Sequence, residues 1–458
     1  MNFLHLSLLA LFPDNEYNFE KNLLDWYEII VVVGLYILMN NWVNKKNKIL
    51  FKKNFKLFFN LKIIGALLIT LLFNLYYAGG DTTAYFNDGR LLNKVLITNP
   101  LLAIEMFFDS GDTAKWSENL NNGFDGFRFA GDSPAWFVTK ITALVELFTF
   151  RSMLGTAMVF GFFSARLIWK FYETILKFYP FAEKYLALAI LFVPNVLLWG
   201  SGIFKDTVTL ALTFYCFVCL YNIFIIKQKV IINFIFFVLS VYVVFIVKSY
   251  IIVSFLGCAS IWVFSLVKIK SHFLRIILRP FLIGLFGIIF YFAFNEFIKT
   301  FQNFSIDTVL ETTRINGEYL KSISADGSVY DIGTLDPSVT GMLKLAPAAI
   351  NVTLFRPYFW ESGKIIIFFA AVESTFLLLF TLFTVFKTGP LKFIYYIFKD
   401  PLLLTFFLFT ILFSIFVGLS SFNFGTLVRY KIPCIPLYLI VLSVILKKDS
   451  NSGRPQII

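Results

Sequence analysis

Four short polar segments interrupt an apolar chain, and their side chains are of the types that act as acids, bases and anion ligands. A carboxylate can take a proton from a hydroxyl group, and lysine and arginine bind phosphate groups. The catalytic candidates are therefore acidic, and the binding candidates are cationic or aromatic. The segments are Gly79-Gly80-Asp81, Lys205-Asp206, Arg356-Pro357 with Trp360-Glu361, and Arg429-Tyr430-Lys431.

Asp81 follows two glycines at the point where an apolar stretch ends. The glycines permit a sharp change of chain direction, which leaves the carboxylate at the edge of that stretch. There it could act as a general base toward a sugar hydroxyl or help to hold a cation. The alternative is structural, because Asp-Thr-Thr is also a good capping sequence for a helix. Asp88 and Arg90 follow closely and are interpreted as an exposed pair.

Lys205 and Asp206 open an apolar stretch directly after the turn Gly200-Ser201-Gly202. So tight a connection places both charged groups at or just below a membrane interface, where ionisable groups are costly and often functional. Lys205 could bind phosphate together with glycine N–H groups and the start of the next helix. Asp206 would complement the helix dipole or orient Lys205. A snorkelling lysine beside a capping aspartate is the open alternative.

The segment from Arg356 to Glu361 combines a cation with aromatic rings and an acid. The Arg356 guanidinium matches the geometry of phosphate or carboxylate, and Tyr358 and Trp360 offer faces for stacking on sugar rings. Glu361 is the acidic candidate of this segment. The alternative is an ordinary aromatic belt that anchors a helix at a membrane interface.

Arg429 and Lys431 place two cations at the start of the last apolar stretch. Arg429 could hold a pyrophosphate, and anchoring to anionic headgroups is the alternative. Arg128 is a weaker binding candidate, together with the nearby Asp132. Glu373 lies well inside an apolar stretch, so it should face the interior of a helix bundle and have a partner there, such as an arginine.

The composition indicates the class of protein. Hydrophobic residues make up 58% of the 458 positions, and only 15% are charged. The apolar runs are continuous and about 17–25 residues long, as membrane-spanning helices require. The excess of 40 basic over 28 acidic residues then marks cytoplasmic loops rather than nucleic-acid binding. Two histidines disfavour a histidine-rich metal site, and four cysteines within apolar runs are interpreted as packing residues.

Lysine-rich loops predict the orientation of the helices. Lysines without any acid fill the loop between the first two apolar stretches, which indicates a cytoplasmic loop and an N-terminus outside. The later clusters of basic residues lie in loops that an alternating order of spans also places on the cytoplasmic side. We therefore predict an all-α, polytopic transmembrane helical bundle of about eleven spans, with the C-terminus inside. The predicted spans are 27–43, 57–77, 152–170, 185–200, 207–226, 230–247, 249–267, 277–297, 364–386, 401–420 and 431–446.

One segment and two long loops complete this arrangement. The segment 135–150 carries charged residues and must begin and end on the outer side, so we predict a re-entrant or interfacial helix. The outer loops 78–134 and 298–363 are interpreted as lids and walls, and the first contains a short amphipathic stretch at 100–108. The prediction is one transmembrane domain, 1–447, followed by a disordered cytoplasmic tail, 448–458. All four polar segments then lie at the outer face.

The layout resembles that of polytopic GT-C-type glycosyltransferases and of oligosaccharide repeat-unit polymerases of bacterial envelopes. The resemblance is carried by an early acid, a long first outer loop and a late arginine, with the stretches Trp-Gly-Ser-Gly-Ile-Phe-Lys-Asp, Arg-Pro-Tyr-Phe-Trp-Glu and Arg-Tyr-Lys-Ile-Pro. It implies that Asp81 is a base or metal contact. It also implies that Lys205, Arg356 and Arg429 hold the phosphate of the donor. Asp81 is followed by Thr82, whereas many GT-C first loops have paired acids, and this departure counts against a metal-assisted mechanism. A divalent cation stays open, and no other cofactor is indicated.

The resulting expectation is an enzyme of the bacterial inner (cytoplasmic) membrane that transfers or polymerises sugars at the outer face. Its partners would be a polyprenyl-phosphate-linked sugar or oligosaccharide and membrane lipid, with no nucleic acid. The competing class is a transporter, such as a flippase for a lipid-linked glycan or another anionic substrate. A transporter should show cations along a path through the bilayer, or broken helices at its midplane. A scaffold of an envelope complex is a third class, and it predicts outer charged groups that lie far apart.

Overall fold

The computed structural model describes residues 26–45, 52–77, 79–111, 126–266, 330, 339–363, 365–421 and 423–452. Within these ranges the chain is almost entirely helical, and none of the described residues forms a β-strand. The all-α prediction is confirmed. The predicted span at 277–297 and most of the second predicted loop lie outside the described residues.

Described residues before 267 form helices of very different lengths. Two of them, α2 and α9, end in a π-helical turn, at Leu72–Tyr76 and Asn222–Ile226. The helices are α1 (Glu28–Lys45), α2 (Lys52–Leu71), α3 (Asp81–Thr98), α4 (Pro100–Phe108), α5 (Ser133–Phe148), α6 (Met153–Phe178), α7 (Glu183–Ile190), α8 (Pro194–Leu198), α9 (Lys205–Tyr221) and α10 (Val230–Leu266).

The described residues after 338 form a second series of helices. They are α11 (Val339–Phe355), α12 (Ile365–Thr388), α13 (Pro390–Lys399), α14 (Pro401–Ser420), α15 (Phe424–Tyr430) and α16 (Cys434–Ser452). The segment predicted as a disordered tail is therefore helical up to Ser452. Lys448 explains part of this difference, because its ammonium group donates to Asp400 at 2.7 Å and holds that turn against the preceding helices.

Five helices in the described ranges are long and apolar enough to cross a membrane, or up to seven if each of two bent pairs is one span. Several apolar helices of this kind indicate a multi-pass membrane protein. The count of eleven spans and the orientation stay predictions. The five are Lys53–Tyr76, Lys205–Ile226, Val230–Leu266, Ile367–Thr388 and Pro401–Leu419, and the bent pairs are Ser133–Phe148 with Met153–Phe178 (110°) and Phe424–Tyr430 with Cys434–Asp449 (62°).

Three predicted spans are built differently from the prediction. The predicted spans 230–247 and 249–267 form one helix, α10, in which only Lys248 has a non-helical backbone (φ −152°, ψ 79°). The predicted span 185–200 is divided into α7 and α8, because Pro194 starts a new helix and lacks the N–H group that would continue the previous one. Helix α5 occupies the segment predicted to be re-entrant or interfacial, and that assignment stays a prediction.

Most of the described residues in the first predicted outer loop are helical, which the sequence predicted only for its amphipathic stretch. Its amphipathic stretch is confirmed as α4, and α3 packs against both α4 and α5. The indole N–H of Trp136 donates to the Met106 carbonyl at 3.2 Å. Apolar residues therefore give this region a core of its own: Leu91, Leu92, Val95, Leu102, Ala103, Met106, Phe127, Trp136 and Ala143.

The chain divides into two compact units, and the single transmembrane domain stays a prediction. Of the described residues, the first unit comprises those up to Leu167, Leu197–Ala211 and Ile246–Lys248, and the second comprises Ile168–Val196, Leu212–Phe245 and those from Ser249 onward.

In the second unit, α11 packs along α14, and α16 packs against α7, α12 and α14. Gly418 on α14 meets the backbone of Ala349 on α11 so closely that a Cβ atom would overlap it. Small residues of this kind let membrane helices approach closely. The second predicted outer loop therefore contains α11, a helix that belongs to the bundle of this unit.

Candidate functional site

Charged side chains of the first unit cluster around the start of α9. Lys205 is the first residue of α9, and its ammonium group forms an ion pair with Asp132 at 3.2 Å. It also interacts electrostatically with Asp81 and Lys248. The Lys205 side chain is 21% exposed and that of Asp132 is 49% exposed, so a ligand can reach this pair. We call Asp81, Asp132, Lys205, Asp206 and Lys248 the Lys205 cluster.

Asp81 enters this cluster through the turn that precedes α3. Gly79 and Gly80 have φ angles of 146° and 137°, which glycine adopts far more readily than other residues. The predicted sharp turn is confirmed. Gly80 takes the cap position of the helix, and Asp81 is its first residue, where the helix dipole favours a negative charge. Gly80 and not Asp81 therefore takes the cap position, and the choice between a structural and a catalytic Asp81 stays a prediction.

Asp132 reaches Lys205 from the start of α5. Its carboxylate accepts a hydrogen bond from the Ala135 N–H at 3.1 Å and so caps that helix. Asp132 was only a weak candidate from its sequence context. An aspartate before Ser-Pro is nevertheless a typical start of a helix, and this pattern places its carboxylate at a fixed position.

Asp206 pairs with Lys248, the residue at which α10 departs from helical geometry. Both side chains are nearly buried, with exposed fractions of 5% and 8%. The interpretation that Asp206 orients Lys205 is therefore replaced by one in which Asp206 holds the break in α10. Lys248 was not identified as a candidate from the sequence, because a single lysine between two apolar runs was interpreted as the boundary of two spans.

A buried lysine fixes the turn that leads into α9. Lys62 of α2 is fully buried, and its ammonium group donates to the Gly200 carbonyl. The Ser164 hydroxyl donates to the same carbonyl at 2.8 Å. Gly65 permits this approach, because a Cβ atom there would overlap the Leu197 carbonyl. Lys62 carried no signal in the sequence other than one charge inside an apolar run.

Asp88 is buried in the first unit, so its interpretation as part of an exposed pair is wrong. Its carboxylate accepts hydrogen bonds from the backbone N–H groups of Arg128 at 3.2 Å and of Phe129 at 2.9 Å. Burial raises the pKa of Asp88 to about 6, and these hydrogen bonds and the Arg128 charge oppose the rise. The side chain of Arg128 is exposed, and its backbone is held by Asp88.

The second unit contains a different arrangement around Arg356. The Arg356 guanidinium forms an ion pair with Glu361, and its Nε donates to the two carboxylate oxygens at 3.0 and 3.1 Å. The same guanidinium lies 5.5, 5.9 and 5.3 Å from the ring centroids of Tyr330, Tyr358 and Phe424. Arg356 is thus held by a neighbour in its own segment.

The aromatic residues of this segment are stacked on each other. The rings of Tyr358 and Trp360 lie 4.9 Å apart with an interplanar angle of 27°, and Trp360 is 82% exposed. Glu361 accepts the Tyr358 N–H at 2.8 Å, and the Asn351 amide donates to the Tyr358 hydroxyl at 3.2 Å. One aromatic face therefore remains open to a ligand or to lipid.

Lys431 is fully buried, although the sequence predicted a cation that contacts substrate. Its ammonium group donates to the Arg356 carbonyl at 3.0 Å and to the Ser374 hydroxyl at 2.7 Å. These contacts favour a structural role for Lys431. We call Arg356, Tyr358, Glu361, Glu373 and Lys431 the Arg356 cluster.

Glu373 is buried on α12, and the prediction of an interior partner is confirmed. It accepts hydrogen bonds from the backbone N–H and the side-chain amide of Asn195 at 2.9 and 2.7 Å. Its charge also interacts with that of Lys431. The cationic partner is therefore a lysine where the sequence suggested an arginine. Arg429 lies in the last turn of α15 and is partly exposed.

Most of the candidate residues thus belong to two clusters in separate units, and Arg128, Trp360 and Arg429 lie outside both clusters as defined. Asp81 and Lys205 lie in the first unit, and Arg356 and Arg429 lie in the second, so their convergence at one site stays a prediction. No group of three His, Cys, Asp or Glu side chains suited to a metal occurs in the described part of the chain. In the Lys205 cluster a lysine supplies the positive charge beside the carboxylates, so we derive no metal-dependent step.

Comparisons with protein-family models, curated proteins and solved structures gave no match to this chain.

Proposed function

We propose that the chain is a glycosyltransferase or glycan polymerase of the bacterial inner membrane, acting at the outer face on a polyprenyl-phosphate-linked donor. In this proposal the chain crosses the membrane about eleven times, with its N-terminus outside. One observation carries the proposal. At the accessible start of a membrane-length helix, the Lys205 ammonium stands beside the carboxylates of Asp81 and Asp132. A phosphate-binding cation and a base are thus side by side.

The reaction needs both types of group. Asp81 takes the proton from the acceptor hydroxyl, whose oxygen attacks the anomeric carbon of the donor sugar. The bond between that carbon and the polyprenyl-phosphate oxygen breaks, and Lys205 neutralises the charge that develops on the leaving phosphate. Asp132 holds Lys205 in place before the phosphate arrives. Asp206 acts indirectly in this scheme, because it anchors Lys248.

The Arg356 cluster has a separate part in the proposal. Glu361 positions Arg356 and is not the acid or base of the reaction, since its carboxylate already accepts from Arg356 and from the Tyr358 N–H. The exposed Trp360 ring is suited to stacking on a sugar. Arg429, also partly exposed, remains a candidate for pyrophosphate binding.

A flippase for a lipid-linked glycan is the second candidate, and a specific observation favours it. Helix α10 is broken at Lys248, and Lys62 and Lys431 are buried cations within or beside apolar helices. Broken helices and buried cations are features of transport paths.

Replacing Asp81 or Lys205 in the producing cells tests the proposal. Asp81→Asn and Lys205→Gln should shorten the glycan chains, with transfer slowed about 10²–10⁴-fold for the loss of a general base. Lipid-linked donor should accumulate in the outer leaflet, where an added lectin reaches it in spheroplasts. The matched control is Glu105→Gln, which removes an exposed carboxylate on α4 in the same unit.

Two outcomes would contradict the proposal. Donor that accumulates in the inner leaflet, inaccessible to lectin until the cells are lysed, would identify the flippase. Normal glycan chain length in both variants would exclude a role of the Lys205 cluster in either process.

A further inference from the structure

Helix α13 connects two membrane-length helices without crossing the membrane itself. It has 10 residues, and a helix of that length extends about 15 Å, half of a bilayer core. Gly389, with a φ of 80°, turns the chain out of α12, and Asp400 caps α14 directly afterwards. Because the spans on both sides end here, α13 is held at a membrane surface.

The surface of α13 is divided into three stripes. Phe393 and Ile397 are buried, and α13 packs against α12, α14 and α16. A second stripe is apolar but exposed. It consists of Leu391, Ile394, Tyr395 and Phe398, spaced at i, i+3, i+4 and i+7. Lys392 and Lys399 form a third, exposed stripe seven residues apart.

The charge around α13 is positive. Lys387 is exposed at the end of α12, next to Lys392 and Lys399. The nearby acid, Asp400, is already engaged, because it accepts hydrogen bonds from the Tyr179 hydroxyl at 3.0 Å and from Lys448 at 2.7 Å. Lys387 and Lys399 lie 5.5 and 5.1 Å from the ring centroids of Phe383 and Tyr395, and their exposed ammonium groups can still contact an external anion.

We infer that α13 is an interfacial helix that binds anionic lipid. Its exposed apolar stripe enters the acyl region, and Lys387, Lys392 and Lys399 contact the phosphate groups of anionic headgroups. This combination of an apolar stripe, flanking lysines and a length too short to span is typical of helices that lie in a membrane interface. Opposite charges and the tether to two spans favour lipid over a second copy of the chain.

The first test measures lipid selectivity on the full-length protein in detergent. Phosphatidylglycerol should raise the unfolding temperature of the wild type, whereas phosphatidylcholine and inorganic phosphate at equal concentration should not. The triple variant Lys387→Gln, Lys392→Gln, Lys399→Gln should lose about 100-fold in apparent affinity for phosphatidylglycerol, since each lysine near an anionic surface contributes about fivefold.

A matched variant separates this site from general attraction to anionic lipid. Lys45→Gln, Lys227→Gln, Lys229→Gln also removes three exposed lysines, but none of them lies on an amphipathic helix of this kind. It should retain the response to phosphatidylglycerol. Equal loss of response in both triple variants would overturn the assignment to α13.

A second measurement follows the depth of the helix in a bilayer. A nitroxide attached at Tyr395→Cys, with the four buried native cysteines as background, should collide with oxygen more than with a water-soluble nickel complex. The triple variant Leu391→Ser, Ile394→Ser, Phe398→Ser should move the label toward water. A change from dimer to monomer in that variant, without a change of depth, would identify the stripe as a contact between copies and overturn the inference.

Discussion

The Lys205 cluster and the Arg356 cluster contain the same kinds of side chain but engage them differently. In the first, Lys205 and Asp132 form an ion pair that a ligand can reach, with Asp81 close enough to act on the same ammonium group. In the second, Arg356 is held by Glu361, and Lys431 is buried between α12 and the segment of Arg356.

This difference shows that residue type and the predicted side of the membrane do not determine whether a charged side chain is accessible to a ligand. A paired cation is more accessible to a substrate when its ion pair is open to solvent, as that of Lys205 with Asp132 is, than when both partners are mostly buried, as Arg356 and Glu361 are. By this criterion the Lys205 cluster is suited to chemistry, and the Arg356 cluster is suited to holding the second unit together. Substitutions in the two clusters test that division, from the largest expected loss of stability to the smallest.

Replacing Lys431 should destabilise the second unit most. Lys431→Gln removes the positive charge that interacts with the buried Glu373, and leaving a buried charge uncompensated costs about 3–5 kcal/mol. The measurement is the free energy of unfolding of the purified protein in detergent. The double variant Glu373→Gln, Lys431→Gln should recover most of the loss, because no charge is then left buried alone. A single variant as stable as the wild type would show that Lys431 is not structural.

Replacing Glu361 should cost less. Glu361→Gln weakens charged hydrogen bonds from Arg356 and from the Tyr358 N–H, and we expect a loss of about 1.5–3 kcal/mol in the same unfolding measurement. Glu105→Gln, an exposed carboxylate, serves as the control. If Glu361→Gln instead abolished glycan synthesis while unfolding like the wild type, Glu361 would be catalytic and the division between the clusters would fail.

The buried carboxyl of Asp88 predicts a dependence of stability on pH. Its pKa is about 6 in the folded protein and about 3.9 in the unfolded chain, so the folded state binds the proton more tightly. The favourable contribution of the protonated Asp88 to the free energy of unfolding is complete below about pH 4 and is lost as the pH rises to about 6. Between about pH 4 and 6 the unfolding temperature of the wild type should fall relative to that of Asp88→Asn. Above that range the difference between the two proteins should be constant. A difference independent of pH would contradict the buried position.

Replacing Lys205 should have the smallest effect on stability. Its ion pair with Asp132 is open to solvent, and exposed pairs contribute about 0–1 kcal/mol. The free energy of unfolding of Lys205→Gln should therefore lie within about 1 kcal/mol of the wild-type value, while glycan synthesis falls. A loss as large as that of Lys431→Gln would place Lys205 among the structural cations.

Local features of the chain were predictable from the sequence. Continuous apolar runs indicate helices, and the paired glycines before Asp81 indicate a sharp turn, because few other residues tolerate positive φ. The position of the break at Lys248 also coincides with a predicted boundary. These features depend on residues close together in sequence.

The partners of the charged residues were not predictable in the same way. Lys62 meets Gly200 and Lys248 meets Asp206 across long separations in sequence, and each lysine alone looks like a snorkelling residue or a loop. Helix α3 was missed because its apolar positions, such as Leu91 and Val95, pack on neighbouring short helices and not along a span. Tertiary packing decides such segments.

The most direct test of the division between the clusters is the position of lipid-linked donor in cells that carry Asp81→Asn. Asp81 lies in the first turn of α3 and contributes its charge beside Lys205. We expect donor to accumulate in the outer leaflet, glycan chains to shorten, and the amount of folded protein to match that of the Glu105→Gln control. Full-length glycan in Asp81→Asn cells, with wild-type amounts of folded protein, would contradict the account.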